Sequence, residues 1–204
     1  MEVIFVNLDF FQKHDIWAFT PEYMKGIGEV TRVLVSKGED HIISITLRAF
    51  RANMCKYYSI DYESSRKKFG KLIGSVNCTP LPINNSKIFL QLKVRIPEFR
   101  GDAAMGYMDL DAIQSLKEKK NKKGTEILLK DGRIVEVLYN LSTVNKHIKN
   151  AKLVLDCYKK ERGYVTYPEA LEKLYSNLDK PATKADIAIL TREIMTLKSS
   201  LKVF

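Results

Sequence analysis

The chain has 204 residues, 45% of them hydrophobic and 28% charged, and this composition excludes a chain that is disordered throughout. Its 34 Lys and Arg outnumber its 24 Asp and Glu, which gives a formal charge of +10 and favours polyanionic partners such as nucleic acid. No run approaches the ~18 consecutive apolar residues that a membrane-spanning helix needs, so we expect no membrane partner.

The N-terminal segment is apolar but lacks the charge pattern of a signal peptide. Glu2 stands where such a peptide carries Lys or Arg, and Asp9 interrupts the apolar run. The three cysteines, Cys55, Cys78 and Cys157, are odd in number and widely spaced, which is not a disulfide framework. We therefore expect a cytoplasmic protein.

The first half of the chain is predicted to be mainly β. Four segments rich in β-branched residues are candidate strands: residues 28–35, 42–47, 70–76 and 87–96. The loop around Gly38, between the first two, predicts a hairpin. Pro80 and Pro82 predict an extended segment, and residues 84–86 (Asn-Asn-Ser) predict a turn after it.

A second hairpin is the clearest local signal. Residues 125–129 and 133–138 flank the pair Asp131-Gly132, which adopts the positive φ of a tight turn at little cost. Beyond it, residues 142–159 predict an amphipathic helix capped by Ser142 or Thr143. Its apolar stripe has spacings of three and four: Val144, Ile148, Ala151 and Leu155.

Two helices are predicted at the C-terminus. Pro168 begins the first, and Thr183 is a natural N-cap for the second. The second carries an a/d stripe of about two heptads, which favours either packing against its own domain or self-association. The candidate oligomerisation residues are Ile187, Leu190, Ile194, Leu197 and Leu201.

These elements predict an α+β fold with an antiparallel β-sheet core and C-terminal helices. We expect a mainly β domain over residues 1–160 and a helical extension over residues 161–204 that serves oligomerisation or binds a partner.

Catalytic motifs are absent from the sequence. His14, His41 and His147 do not have metal-ligand spacing, and no phosphate-binding or nucleophile motif occurs. Asp109 and Asp111 form the closest approach to a carboxylate pair, which we interpret as a solvated edge. We therefore expect no enzymatic activity, catalytic residue, metal or cofactor. The alternative is a nuclease or nucleotide-modifying enzyme, which would need a carboxylate or metal centre such as these two aspartates could supply.

Positive charge gathers in two clusters. The first interleaves cations with aromatic residues, a pattern suited to phosphate contacts and stacking: Arg48, Arg51, Lys56, Arg66, Lys67, Lys68 and Lys71. The alternative is that the aromatic side chains alternate into the core of a strand while the charges form a solvated face. The second cluster is a lysine loop that either adds phosphate contacts or is only solubilising: Lys117, Lys119, Lys120, Lys122 and Lys123.

Between Cys55 and Leu90, a Cys-basic-aromatic-aromatic start leads through Ser and Arg66-Lys67 to a Pro-rich segment and the strand Ile88-Phe89-Leu90. This segment resembles the central signature of the ComK family of competence transcription factors. Similar features flank it, and the resemblance covers Thr20 to Lys159: Pro21-Glu22-Tyr23 upstream, and Asp131-Gly132-Arg133 and Tyr139-Asn140 downstream.

The chain departs from the family pattern in two places. Residues 91–106 lack the Phe-Pro-Thr and Cys-x-Trp elements, and Tyr107 stands nearest the position of that tryptophan. The apolar stripe over residues 187–201 has no counterpart in the family.

The resemblance implies a transcriptional activator that binds A·T-rich DNA through the minor groove as a homo-oligomer on paired sites. It implies a DNA-binding face at Arg66, Lys67, Lys68 and Lys71, with Arg48 and Arg51 as further candidates and the lysine loop as an accessory phosphate contact. The alternative is a ComK-like module that binds a protein, such as an RNA polymerase subunit or another regulator, without specific DNA binding.

Overall fold

The computed structural model describes residues 3–4, 8–119, 124–162 and 183–200. The chain divides into two units, Met1–Gly163 and Tyr164–Phe204. The strands of the first unit are β1 (Val3–Ile4), β2 (Ile16–Met24), β3 (Gly28–Val35), β4 (His41–Ile43), β5 (Leu81–Pro82), β6 (Ile88–Lys93), β7 (Met105–Asp109), β8 (Ile113–Glu118), β9 (Thr125–Leu129) and β10 (Ile134–Val137). Its helices are α1 (Leu8–Lys13), α2 (Leu47–Tyr57), α3 (Tyr62–Leu72) and α4 (Leu141–Glu161), and the second unit contains α5 (Lys184–Ser200).

The predicted α+β class with an antiparallel core is confirmed. Seven strands form the main sheet in the order β1-β4-β3-β2-β7-β6-β5, and only the short β1–β4 pair is parallel. The predicted hairpin between β3 and β4 is present. Strand β2 lies at the centre, where Phe19 is opposite Val33 on one side and Tyr107 on the other.

The main sheet is covered on both faces. Because successive side chains of a strand point to opposite faces, Phe19 and Ala18 enter two different cores. On the Phe19 face, α1 and α2 contribute Phe11, Phe50 and Met54 to an aromatic-rich cluster. On the Ala18 face, the three-stranded sheet β10-β9-β8 and α4 supply the second cluster: Ile127, Leu129, Val137, Val144, Ala151 and Val154.

The second predicted hairpin, β9–β10, is confirmed. Gly132 has φ +89°, which favours glycine, and its N–H donates to the Leu129 carbonyl at 2.9 Å. The helix predicted after it is also confirmed as α4. Its N-cap is Asn140, whose side chain accepts a hydrogen bond from the Thr143 N–H at 2.9 Å, so the prediction of Ser142 or Thr143 as cap is wrong.

Two of the predicted strands are largely wrong: the one over residues 42–47 is confirmed only at Ile42 and Ile43, and the one over residues 70–76 is not formed. β4 ends at Ile43, since Thr46 caps α2 by accepting a hydrogen bond from Ala49 N–H at 3.3 Å. The predicted strand over residues 70–76 begins instead within α3, which Asp61 caps through the Ser64 N–H at 3.0 Å. The aromatic residues among the cations therefore follow helical, not strand, periodicity.

The last predicted helix is confirmed as α5, which begins directly after Thr183. The Ile187 N–H donates to the Thr183 carbonyl at 3.2 Å. The helix predicted from Pro168 and the stripe residue Leu201 lie outside the described residues, as does the side chain of Leu197.

Candidate nucleic-acid interface

Three of the predicted DNA-binding arginines meet in one groove. Arg48 and Arg51 are three residues apart on α2 and therefore lie on the same side of that helix. Arg66 comes from α3. Together they line an open groove of about 700 Å³, here called the arginine groove. Its other lining residues include Leu47 of α2, Tyr62 of α3, and Gln91, Met105 and Tyr107 of the main sheet, together with Thr46, Asn77 and Cys78 outside these elements.

Arg51 is held in place by two aromatic side chains. Its guanidinium lies 3.8 Å from the centre of the Tyr62 ring, and its Nη1 donates to the Tyr107 hydroxyl at 3.1 Å. Burial raises the pKa of Tyr107, so this phenol is neutral at physiological pH and accepts from the guanidinium. Arg51 is thus half-buried and oriented before any ligand binds.

The other two arginines are held less firmly. Arg66 donates through Nε to the Val76 carbonyl at 3.2 Å and pairs with Glu63 at 3.4 Å, while about a third of its side chain stays exposed. Arg48 is exposed and forms no ion pair with any described residue. Both can therefore move toward an anion, whereas Arg51 gives the groove a fixed cationic point.

Most of the carboxylates that line the groove form ion pairs or hydrogen bonds with residues other than its arginines. Glu29 pairs with Arg95 at 2.5 Å and accepts the Ala103 N–H at 2.8 Å. Asp102 accepts a hydrogen bond from the Tyr23 hydroxyl at 2.6 Å. Glu63 alone contacts an arginine of the groove among the described residues, so Arg48 and Arg51 keep their charge for an incoming anion.

The predicted lysines of α3 fall into two environments. Lys67 and Lys71 are four residues apart, exposed, and without an ion-pair partner in the described part of the chain. Lys68 pairs with Glu161 of α4, and this bond holds the pKa of the carboxyl below its usual range. Lys67 and Lys71 are therefore the better placed of the three for phosphate contacts.

The predicted lysine loop lies elsewhere. Lys117 is exposed on β8, and Lys119 pairs with Glu136 of β10. Lys117 belongs to the three-stranded sheet and Lys119 directly follows its strand β8, and this sheet packs against the face of the main sheet opposite α2. Lys120, Lys122 and Lys123 lie outside the described residues. The structure does not bring Lys117 and Lys119 to the arginine groove.

The two aspartates of the nuclease alternative are not equivalent. Asp109 is buried beside Lys87, whose Nζ is 3.4 Å away, and burial raises the pKa of the aspartate. Asp111 is exposed and pairs with Lys130 at 2.8 Å. The prediction of a solvated edge is therefore wrong for Asp109. Among the residues that the structure describes, no group of three or more His, Cys, Asp or Glu could hold a metal ion.

Among the described residues, the histidines and cysteines show no hydrogen bond between a cysteine and a histidine that could activate a thiol. His14 and His41, distant in sequence, have ring centres 4.6 Å apart, and His147 stacks on Tyr139. Burial raises the pKa of the Cys55 thiol to about 11, which keeps it protonated at neutral pH and makes it a poor nucleophile.

Tyr62 and Tyr107 were not predicted to be part of the site. Tyr62 lies eleven residues from Arg51 in the chain and Tyr107 lies on a distant strand, so no local spacing connects them. The only signal was the aromatic content of the first cationic cluster, which included Tyr62.

Comparisons with known proteins give no match: no family model fits the chain, and no curated protein or solved structure matches it. Within the described ranges, none of the helices has the length and apolar character needed to cross a membrane.

Proposed function

We propose that this protein is a cytoplasmic, non-enzymatic transcription regulator that binds A·T-rich double-stranded DNA. The observation that carries the proposal is the meeting of Arg48, Arg51 and Arg66, from two helices, at one open groove. A narrow A·T-rich minor groove has an enhanced negative potential that attracts inserted arginine side chains. Exposed Lys67 and Lys71 supply point charges for the neighbouring phosphates.

The resemblance to the ComK family supports the regulatory part of this function. The segment that resembles the family signature also contains Arg66, which lines the arginine groove, and the exposed Lys67. On this basis we propose an activator that works as a homo-oligomer on paired sites, with RNA polymerase as a further partner.

A second candidate function is a protein-interaction module without specific DNA binding. Helix α5 favours it, because Ile187, Leu190 and Ile194 are each more than half exposed and lie at a/d spacing. The same stripe equally suits the homo-oligomer of the first proposal. DNA affinity separates the two functions.

Fluorescence anisotropy with A·T-rich and G·C-rich duplexes, across a salt series and with a minor-groove competitor, tests the proposal. We expect binding that selects the A·T-rich duplex, weakens steeply with salt and is displaced by the competitor. The variant with Arg66→Ala and Lys67→Ala should lose selective binding and keep its fold by circular dichroism.

The matched control removes two positive charges from exposed positions outside the groove, through Lys25→Ala and Lys37→Ala. This control should retain A·T selectivity. Equal affinity of the wild type for both duplexes, or unchanged selective binding in the Arg66/Lys67 variant, contradicts the proposal and favours the protein-interaction module.

A further inference from the structure

Two large apolar side chains project from the loop between β6 and β7. Ile96 is 75% exposed and Phe99 is 69% exposed, the highest values among the large hydrophobic residues of the described chain. They are three residues apart in the loop of residues 94–104, here called the β6–β7 loop. Scattered exposed apolar residues are common on protein surfaces, whereas two of them three residues apart on one loop suggest a contact surface.

Tyr23 of β2 fixes the middle of this loop. Its hydroxyl accepts a hydrogen bond from the Glu98 N–H at 2.8 Å and donates to Asp102 at 2.6 Å. The rings of Tyr23 and Phe99 lie nearly at a right angle, with their centroids 6.4 Å apart. Phe99 is therefore positioned by its neighbours although most of its surface faces solvent.

Arg95 fixes the base of the β6–β7 loop. Its guanidinium lies 4.0 Å from the centre of the Tyr23 ring, its Nε donates to the Ala103 carbonyl at 2.8 Å, and it pairs with Glu29. Gly101 has φ +102°, a conformation that an L side chain rarely adopts, and this allows the chain to turn back toward β7. The loop is thus pre-formed, which lowers the entropic cost of using Ile96 and Phe99 in binding.

The β6–β7 loop continues into the arginine groove. Gly101, Asp102, Ala103 and Ala104 line one part of the groove, and Arg48, Arg51 and Arg66 line another. Phe99 is therefore two residues from the lining of a cationic groove, and exposed Arg100 lies between. A duplex that takes these arginines into its minor groove would therefore lie close to Phe99.

We infer that Phe99, supported by Ile96, inserts between base pairs of the bound duplex and kinks it. Apolar side chains of this size act as wedges in proteins that bind the minor groove, where they partly unstack a base step and bend the DNA away from the protein. A flat aromatic ring suits this role because it stacks on the exposed base. Pyrimidine–purine steps such as TA kink and unstack easily, so the wedge adds shape selectivity for A·T-rich sites that contain TA steps.

This inference rests on the proposed function. Its test measures base unstacking and DNA bending, which are distinguished from DNA affinity. The full chain is added to an A·T-rich duplex that carries 2-aminopurine beside a central TA step, and the fluorescence of the base analogue reports unstacking. A second duplex with donor and acceptor dyes at its ends reports bending by energy transfer, while anisotropy reports binding on the same samples.

We expect a several-fold rise in 2-aminopurine fluorescence and higher energy transfer on binding of the wild type. Phe99→Ala should remove most of both signals at saturating protein, and Phe99→Trp should retain them. Ile96→Ala should reduce them partly. The matched control is Ile134→Ala, which truncates an apolar side chain, 57% exposed, on the three-stranded sheet and should leave both signals unchanged.

Three outcomes overturn the inference. Tight A·T-selective binding with no unstacking and no bend leaves the proposed function intact and removes the wedge. Signals in Phe99→Ala equal to those of the wild type do the same. Failure of the wild type to bind DNA, with Phe99-dependent binding to a protein or to anionic vesicles, removes both the wedge and the proposed function.

Discussion

The Tyr107 hydroxyl accepts a hydrogen bond from the Arg51 guanidinium at 3.1 Å, and this contact connects β7 to α2 within the arginine groove. The two residues are 56 positions apart in the chain. Tyr62 completes the arrangement from α3, because its ring lies under the same guanidinium and its hydroxyl is 3.4 Å from that of Tyr107. A cation that is already stacked and hydrogen-bonded loses little side-chain entropy when an anion binds.

Tyr107→Phe tests this pre-organisation. The substitution keeps the buried ring and removes only the hydroxyl, so Arg51 loses its acceptor. We expect the free energy of unfolding to fall by about 1 kcal/mol and the affinity for A·T-rich DNA to fall about threefold to tenfold. Chemical denaturation and anisotropy measure the two effects.

Tyr158→Phe is the matched control for this prediction. Tyr158 is also buried, and within the described part of the chain its hydroxyl makes only a 3.5 Å contact with the Ile83 carbonyl, away from the groove. This variant should keep the DNA affinity of the wild type. Equal DNA affinity in Tyr107→Phe and the wild type would show that the hydroxyl does not orient Arg51 for binding.

The exposed side chains of Lys67 and Lys71 should contribute to the salt dependence of DNA binding. Each phosphate contact to B-DNA contributes about 0.9 to the slope of log affinity against log salt, so Lys67→Ala with Lys71→Ala should make that slope less steep by about 2. Lys68→Ala should change it less, since Lys68 is already paired with Glu161. A slope that is the same in the double variant and in the wild type excludes these two lysines as phosphate contacts.

The sequence was sufficient to predict elements whose signals are local. The Asp131-Gly132 hairpin and the helix α4 depend on turn chemistry and on apolar spacing within a short segment, and both are confirmed. Helices α2 and α3 were missed because their aromatic and cationic residues fit a strand pattern as well as a helical one. Their caps at Thr46 and Asp61 carry the helical signal, but Thr and Asp are also common in loops.

The candidate site was predictable only in part. Arg48, Arg51 and Arg66 were identified from charge, and they meet because two helices pack beside the same strands. The contribution of Tyr107 and the rigidity of the β6–β7 loop depend on contacts between distant segments, such as Tyr23 with Asp102. No pattern in a single sequence encodes those distances.

The buried carboxyl of Asp109 should make the stability of the fold depend on pH. Burial raises the pKa of its carboxyl above the ordinary value of 3.8, although Lys87 opposes the shift. A carboxyl whose folded-state pKa is raised favours the folded state when protonated. Its contribution to stability is therefore lost as the pH rises from the unfolded pKa through the folded one.

Asp109→Asn removes this titration and keeps an oxygen for the Asp111 N–H, which donates to Asp109 at 3.2 Å. The free energy of unfolding of the variant, relative to the wild type, should therefore increase between acidic and neutral pH. Denaturant titrations at several pH values measure the difference, and Asp111→Asn gives the baseline for an exposed carboxylate of the same turn. A difference that stays constant with pH contradicts the prediction.

The apolar stripe of helix α5 predicts self-association in a specific register. With Ile187 and Ile194 at a positions and Leu190 at d, the pattern favours a parallel two-stranded coiled coil of two copies of the chain. In this register Glu193 occupies a g position and Lys198 the following e position, which face each other across a parallel dimer. Both are exposed and available for such a pair.

Reversing these charges one at a time should weaken the dimer, and reversing both should restore it. Glu193→Lys places two lysines opposite each other at two symmetric positions, which costs about 1–2 kcal/mol in all and raises the dimer dissociation constant roughly tenfold. Lys198→Glu should have a similar effect, and the double variant should return to the wild-type value. Ile194→Asp should abolish association. Sedimentation equilibrium of the full chain measures each constant, and single variants that dimerise as tightly as the wild type would rule out the parallel register.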